Sequence, residues 1–146
     1  MNRKTLTRTI LAMLLVLAAL PAAARQLNVP PSERAHYWIL TNESVDAMVP
    51  NSGVNLDKPG CAAISYDIGT DGVTRNIQIR KVIPAGDLGV VAQSVIKGFR
   101  YAPSSRNPEQ LPVHTYYIVP FNLPADPAAR QRITHACDLP GFERTG

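Results

Sequence analysis

Two cysteines are the residues of this sequence that most directly suggest chemistry. Cys61 and Cys137 stand far apart in the chain. In an oxidising compartment such an isolated pair most simply forms a disulfide, and closing so long a loop would stabilise the domain by roughly 4 kcal/mol. One alternative is a reactive thiol with His135 as its base, and another is a disulfide between two molecules. No C-x-x-C motif is present and an exported lone thiol tends to oxidise, so we favour the intramolecular disulfide.

The remaining polar residues do not form a recognisable catalytic or metal-binding pattern. His36, His114 and His135 are widely separated and lack the spacing of metal ligands. The sequence contains no G-x-S-x-G, H-E-x-x-H, P-loop or G-x-G-x-x-G motif. Asp67 and Asp71 flank a turn, where aspartate is expected for local hydrogen bonding. The sequence therefore predicts a protein that is not an enzyme, with no cofactor and no metal site.

The first 24 residues have the three parts of a secretory signal peptide. Arg3, Lys4 and Arg8 precede the apolar run Ile10 to Leu20, and small residues end at Ala24. A membrane span needs roughly 20 apolar residues, more than this run contains. We therefore expect cleavage near Ala24 and an exported protein, with a retained membrane anchor as the alternative.

Removing the predicted signal changes the charge of the chain. Three of the 15 basic residues lie in it, which leaves 12 against 11 acidic residues and a net charge of +1. No basic stripe remains, so a nucleic-acid partner is not expected. The remaining residues, 25–146, are enough for one domain with one core.

Hydrophobic periodicity predicts a hairpin followed by a helix. Residues 61–69 alternate as a half-buried strand, Asp71-Gly72 is a hairpin turn, and Val73, Ile77 and Ile79 share one face of the second strand. The period then changes to that of a helix. Its apolar stripe consists of Leu88, Val91, Ala92, Val95, Ile96 and Phe99.

A third strand is predicted over Val113 to Phe121, and it contains a proline. Because Pro120 cannot donate to a ladder, this strand is expected to be an edge, at least near its end. The resulting β-β-α-β order indicates an α+β fold, a small antiparallel sheet with a helix packed on one face. Residues 35–41 fit a helix or a strand equally well, and residues 128–134 fit a helical turn.

The segment from Asp71 to Pro103 resembles the C-terminal domain of TonB, the periplasmic energy transducer, and its relatives. That family has a D-G turn, a second strand, a proline break and an amphipathic helix that ends in aromatic-Arg-aromatic-x-Pro. Here the break is at Pro84 and the helix exit is Phe99-Arg100-Tyr101-Ala102-Pro103. The resemblance covers residues 60–123. It divides the chain into the signal peptide (1–24), an N-terminal extension (25–59), the TonB-like domain (60–123) and a C-terminal tail (124–146).

The resemblance implies a periplasmic binding module that takes an extended peptide or an envelope protein along a sheet edge. The partner-binding residues would be those of the last strand, His114, Thr115, Tyr116, Tyr117, Ile118 and Val119. Proline at Thr115 or Tyr117 is expected to weaken that binding without unfolding the domain. An exposed edge also allows a homodimer.

Two departures from the family keep other functions open. The cysteine pair lies outside the TonB pattern, and no Pro/Glu/Lys-rich spacer follows the N-terminal apolar run. The alternatives are a minimal membrane-anchored energy transducer for outer-membrane transport, and a small exported enzyme or inhibitor that uses the N-terminal extension.

Overall fold

A computed structural model describes residues 26–42 and 44–142. The predicted signal peptide lies outside these residues. The described elements, in chain order, are β1 (Leu27–Asn28), α1 (Arg34–Tyr37), β2 (Trp38–Leu40), β3 (Gly60–Ile68), β4 (Thr74–Ile83), α2 (Leu88–Gly98), β5 (Tyr101–Pro103), β6 (Val113–Phe121) and α3 (Pro127–His135).

The main sheet has four strands in the order β1-β6-β3-β4, and β2 and β5 form a separate two-stranded sheet. β3 pairs antiparallel with both β4 and β6, and β1 is parallel to β6. The predicted hairpin is confirmed. Its turn closes with Gly72 N–H donating to the carbonyl of Gly69 at 2.9 Å. Gly72 has a φ of 74°, a left-handed conformation that glycine adopts without a steric penalty.

The helix α2 packs on one face of the sheet, so the predicted α+β fold with its β-β-α-β core is confirmed. Alternate residues of β3 point to this face and are fully buried: Ala62, Ile64, Tyr66 and Ile68. The helix contributes Ala92 and Ile96 to the same core, which matches the apolar stripe predicted from the sequence. Burial of these apolar side chains is the main force that holds helix and sheet together.

The opposite face of the sheet is covered by the C-terminal tail. Cys61 at the start of β3 forms a disulfide with Cys137, just beyond α3, as the sequence predicts. Ala63 and Tyr116 are buried beside this disulfide, and Ile133 and Phe142 pack against them. β3 is therefore enclosed on both faces, which explains why all but one of its nine residues are buried.

In β4 the predicted common face of Ile77 and Ile79 is confirmed, but two irregularities bring further residues to that face. The register with β3 shifts between Ala63 and Ile64 and again between Ser65 and Asp67. Each irregularity inserts an extra residue and reverses the alternation beyond it. As a result Thr74 and Val82 also point to the helix face, where the Thr74 hydroxyl donates to the carbonyl of Ile96 at 2.9 Å. Ile79 lies on this face beside Gly89 of α2, although 41% of its surface stays exposed.

The segment before β3 folds as part of the same core. Residues 34–40 are a short helix followed by a strand, so both interpretations of residues 35–41 hold in part. Trp38 is fully buried and its indole N–H donates to the carbonyl of Leu111 at 2.9 Å. β2 pairs with β5, which places the extension directly on the exit from α2.

Candidate functional site

The outer edge of β6 is occupied by β1 over its first residues. Leu27 N–H donates to the carbonyl of Pro112 at 3.2 Å, and Val29 N–H donates to the carbonyl of His114 at 2.9 Å. The chain then enters a turn at Pro30, whose carbonyl accepts from Glu33 N–H at 3.0 Å. β1 thus covers β6 only at its start.

The contact between Val29 and His114 fixes which backbone groups of β6 face outward. The N–H and C=O of one strand residue point to the same edge of the strand, and those of the next residue point to the opposite edge. β6 pairs with β3 without a register shift, so the outward positions repeat every two residues from His114 to Ile118 and Pro120. Pro120 has no backbone N–H, but at this outward-facing position the ladder with β3 does not need one. A proline here agrees with an edge strand.

The same register corrects the proposed proline test. The backbone N–H groups of Thr115 and Tyr117 face β3, not the outer edge, because these residues alternate with His114. Proline at either position would break the ladder between β3 and β6 and destabilise the fold. Ile118 is the position whose N–H faces outward and has no hydrogen-bond partner among residues 26–42 and 44–142.

A groove with a volume of about 610 Å³ lies beside this part of β6. Volumes of this size are typical of ligand-binding clefts in proteins. Its lining combines the last strand with both flanking segments: Pro30, Pro31, Ser32, Arg34, Tyr116, Tyr117, Ile118, Asp138, Leu139 and Phe142. The N-terminal segment forms one wall, the C-terminal tail forms the other, and the edge of β6 lies between them.

The odd-numbered residues among the predicted partner-binding set point to the helix face. Thr115 is fully buried, and Tyr117 and Val119 pack against the main core. The ring of Tyr117 meets that of Phe99 edge-on, with centroids 5.2 Å apart. These side chains therefore stabilise the fold, as expected for one face of the strand.

The even-numbered residues point to the face that the C-terminal tail covers. His114 Nδ1 and Asp67 Oδ1 lie 2.6 Å apart, and Phe142 stacks on the His114 ring at 5.5 Å. The ring of Phe142 also packs against Tyr116, with centroids 4.8 Å apart, and Tyr116 is only 6% exposed. The protein's own tail thus takes up much of the surface that the sequence assigns to a partner.

Arg34 is a groove residue that the sequence analysis did not identify. Its guanidinium lies over the ring of Tyr101 at 5.5 Å and over that of Tyr117 at 5.7 Å. Such cation–π contacts hold the charge at the groove wall while leaving nitrogen donors for other partners. The sequence around Arg34 carries no motif, because the residue starts a helix of only four residues.

A pair of buried tyrosines lies beneath Arg34. The hydroxyl oxygens of Tyr66 and Tyr101 are 2.7 Å apart and hydrogen-bonded to each other. Burial raises the pKa of both phenols above the ordinary value for tyrosine. At Tyr66 the positive charge of Arg34 partly offsets this rise in pKa. The guanidinium is therefore close enough to act on the pair electrostatically.

Residues 26–42 and 44–142 contain no cluster of three or more His, Cys, Asp or Glu side chains that could hold a metal ion. In the same residues no helix has the length and apolarity needed to cross a membrane.

Comparison with known proteins finds a distant similarity of fold. No protein-family model matches the chain, and no curated protein matches it. Among solved structures, the solution structure of the TonB C-terminal domain of Pseudomonas aeruginosa is similar, with a TM-score of 0.40 and 15% identity. The similarity covers 61% of this chain and 89% of that one.

Proposed function

We propose that the protein is a non-enzymatic binding module of the cell envelope that engages a partner protein by strand addition along β6. The partner supplies an extended segment, which enters the groove beyond β1 and continues the sheet. This mode of recognition takes affinity from backbone hydrogen bonds and specificity from the pockets that receive alternate side chains.

One observation carries this proposal, namely the backbone of Ile118 facing the groove. Its N–H and C=O point away from β3 and have no partner within the described residues. An open strand edge of this kind pairs readily with another extended chain. β1 demonstrates the pairing, since it already adds to β6 in parallel at Val113 and His114.

The disulfide supports a location outside the cytoplasm. Disulfides such as Cys61–Cys137 persist in oxidising compartments, including the bacterial periplasm. We therefore propose that the module lies in the periplasm. In this proposal the segment before residue 25 directs its export and is removed by cleavage near Ala24. An envelope protein is the class of partner available there.

Titration with extended peptides tests the proposal. The probe is a pool of acetylated and amidated octapeptides in which each position is valine, leucine, serine or threonine at random. We expect NMR amide shifts to concentrate at Ile118 and its neighbours on β6. The variant Ile118→Pro removes the outward N–H and should abolish the shifts. Ile118→Ala, which keeps the N–H and loses the side chain, is the matched control and should retain them.

Two results would contradict strand addition. One is normal peptide binding by a folded Ile118→Pro variant. The other is a set of shifts confined to β4, which forms the opposite edge of the sheet. In a third case a second copy of the chain occupies the β6 edge. Sedimentation of the peptide-free protein would detect this case as a dimer.

A further inference from the structure

Arg34 has no anionic partner within the described part of the chain. Across residues 26–42 and 44–142, no carboxylate lies within ion-pair distance of its guanidinium. Its Nε is buried and makes no hydrogen bond in the same residues. Arginine presents five N–H donors and stays charged at every physiological pH. A partly buried guanidinium without a carboxylate is therefore poised to gain from an anionic ligand.

The acidic residue on the opposite wall does not meet this need. Asp138 lies across the groove, and its Oδ2 is 2.8 Å from His135 Nδ1 on its own side. The cationic and acidic groups thus stay on separate walls, with the groove between them. A ligand in the groove would meet Arg34 as the charge without a counter-ion.

The position of Arg34 relates it to a strand added along β6. Its guanidinium lies over Tyr117, which directly precedes Ile118 and points to the face of the sheet that carries α2. An added strand would run 4.7–4.9 Å from β6, and every second side chain would point to that same face. A side chain of the added strand near Ile118 would therefore reach the guanidinium.

We propose that Arg34 selects an acidic partner segment by pairing with an aspartate or glutamate side chain of the strand that occupies the groove. This inference rests on the proposed function. Arginine binds a carboxylate through two parallel N–H···O bonds, which gives orientation as well as affinity. The cation–π contacts with Tyr101 and Tyr117 hold the guanidinium in place, so little side-chain freedom is lost on pairing.

Three peptide pools test the assignment with the full-length, oxidised protein. Each pool has the composition used above and one central position fixed as glutamate, glutamine or lysine, and all peptides are acetylated and amidated. We expect the glutamate pool to bind about tenfold more tightly than the glutamine pool, the factor of one charge-assisted hydrogen bond. The lysine pool should bind most weakly. Added salt should weaken the glutamate pool more than the glutamine pool.

Substitutions of Arg34 test whether this residue causes the preference for the glutamate pool. Arg34→Gln and Arg34→Met should bind the glutamate and glutamine pools equally, and Arg34→Lys should retain part of the preference. Arg106→Gln is the matched control, because Arg106 is exposed and does not line the groove. Since the ratio of two affinities is measured within each variant, a modest loss of stability does not obscure the result.

Several outcomes would overturn the inference. Equal affinity of the wild-type protein for the glutamate and glutamine pools is one, and a preference that survives in Arg34→Gln is another. If a glutamine pool with free C-terminal carboxylates binds as tightly as the amidated glutamate pool, Arg34 recognises a chain terminus instead. In each of these cases shifts at Ile118 would persist and the proposed function would stand. Absence of binding by all pools would overturn both proposals.

Discussion

The backbone N–H of Val29 donates to the carbonyl oxygen of His114 at 2.9 Å. This hydrogen bond ties the N-terminal segment to the last strand of the sheet. It also fixes the direction of every peptide group in β6, because β6 pairs with β3 without a shift of register. The groups that could receive a partner strand follow from this one contact.

Proline substitutions in β6 should distinguish the backbone groups that face β3 from those that face outward. Tyr117→Pro removes a donor that faces β3 and leaves a buried carbonyl unpaired, which costs about 1–3 kcal/mol, with further loss from packing. Ile118→Pro removes an outward donor, so its unfolding free energy should stay close to that of Ile118→Ala. Urea unfolding measures all three variants. A Tyr117→Pro protein as stable as the wild type would show that the register is wrong.

The hydrogen-bonded pair of Tyr66 and Tyr101 should make stability fall at alkaline pH. Burial raises the pKa of both phenols above the ordinary value of about 10, so they stay protonated in the folded state when the unfolded chain ionises. Their contribution is complete below pH 10 and is lost as pH rises above it. Absorbance at 295 nm should show two tyrosines that ionise only on unfolding. Free titration of all tyrosines near pH 10 would contradict the burial.

A double-mutant cycle isolates the tyrosine pair from other alkaline effects. Tyr66→Phe leaves the Tyr101 hydroxyl without its buried partner and should cost about 1–3 kcal/mol. Removing both hydroxyls should cost less than the sum of the two single changes, because no unpaired group remains. In the double variant the alkaline loss of stability should be smaller than in the wild type. Strict additivity of the two changes would rule out a direct hydrogen bond.

The sequence predicted those elements whose signals are local. The hairpin at Asp71-Gly72, the amphipathic helix α2 and the alternating strand β6 each carry a complete periodic pattern within a few residues. The disulfide followed from the number of cysteines. The complete set of core-facing residues of β4 could not be predicted, because its two irregularities reverse the alternation without a composition signal.

The candidate site was harder to predict because it depends on short, distant pairings. β1 has two residues and β2 has three, and both pair with strands more than 50 positions away. Stretches this short show no periodicity, so their partners cannot be inferred from pattern. The strand edge was predicted from Pro120, but the walls that turn it into a groove come from these pairings and from the tail. Arg34 was missed for the same reason.

Replacing Trp38 should show that the N-terminal segment is part of the fold. The side chain is fully buried, so Trp38→Ala should destabilise the protein by about 3–5 kcal/mol. Ile39→Ala is the matched control. Ile39 is the next residue and is 51% exposed, so its loss should change stability by less than about 0.5 kcal/mol. Urea unfolding measures both.

Fluorescence gives an independent check on the same residue. Trp38 is the only tryptophan in the chain, so its emission reports directly on this site. Emission at short wavelength is expected for a ring excluded from water, with a shift to longer wavelength on unfolding. A wild-type spectrum typical of exposed indole would contradict the packing of β2 onto β5.

Loss of the disulfide should weaken the protein globally and release the cover of one sheet face. Cys61 and Cys137 are separated by 76 positions, so removing the link restores conformational freedom to a long stretch of the unfolded chain. The double variant Cys61→Ala/Cys137→Ala should therefore lose about 4 kcal/mol of unfolding free energy. Reductant should lower the stability of the wild type and leave that of the double variant unchanged.

The local effect of removing the disulfide distinguishes its two roles, which are to attach α3 to the sheet and to restrict the unfolded chain. Without it, α3 keeps the apolar packing of Ile133 against the sheet, and the tail beyond α3 keeps the packing of Phe142 and the hydrogen bond from Asn28 Nδ2 to the carbonyl of Gly141 at 2.8 Å. Hydrogen exchange should then rise first in α3, before it rises in β3 or α2. Phe142→Ala, which keeps the disulfide, should expose Tyr116 while α3 stays protected. If α3 exchanges no faster in the double variant than in the wild type, packing holds the tail in place and the disulfide acts only through the unfolded chain.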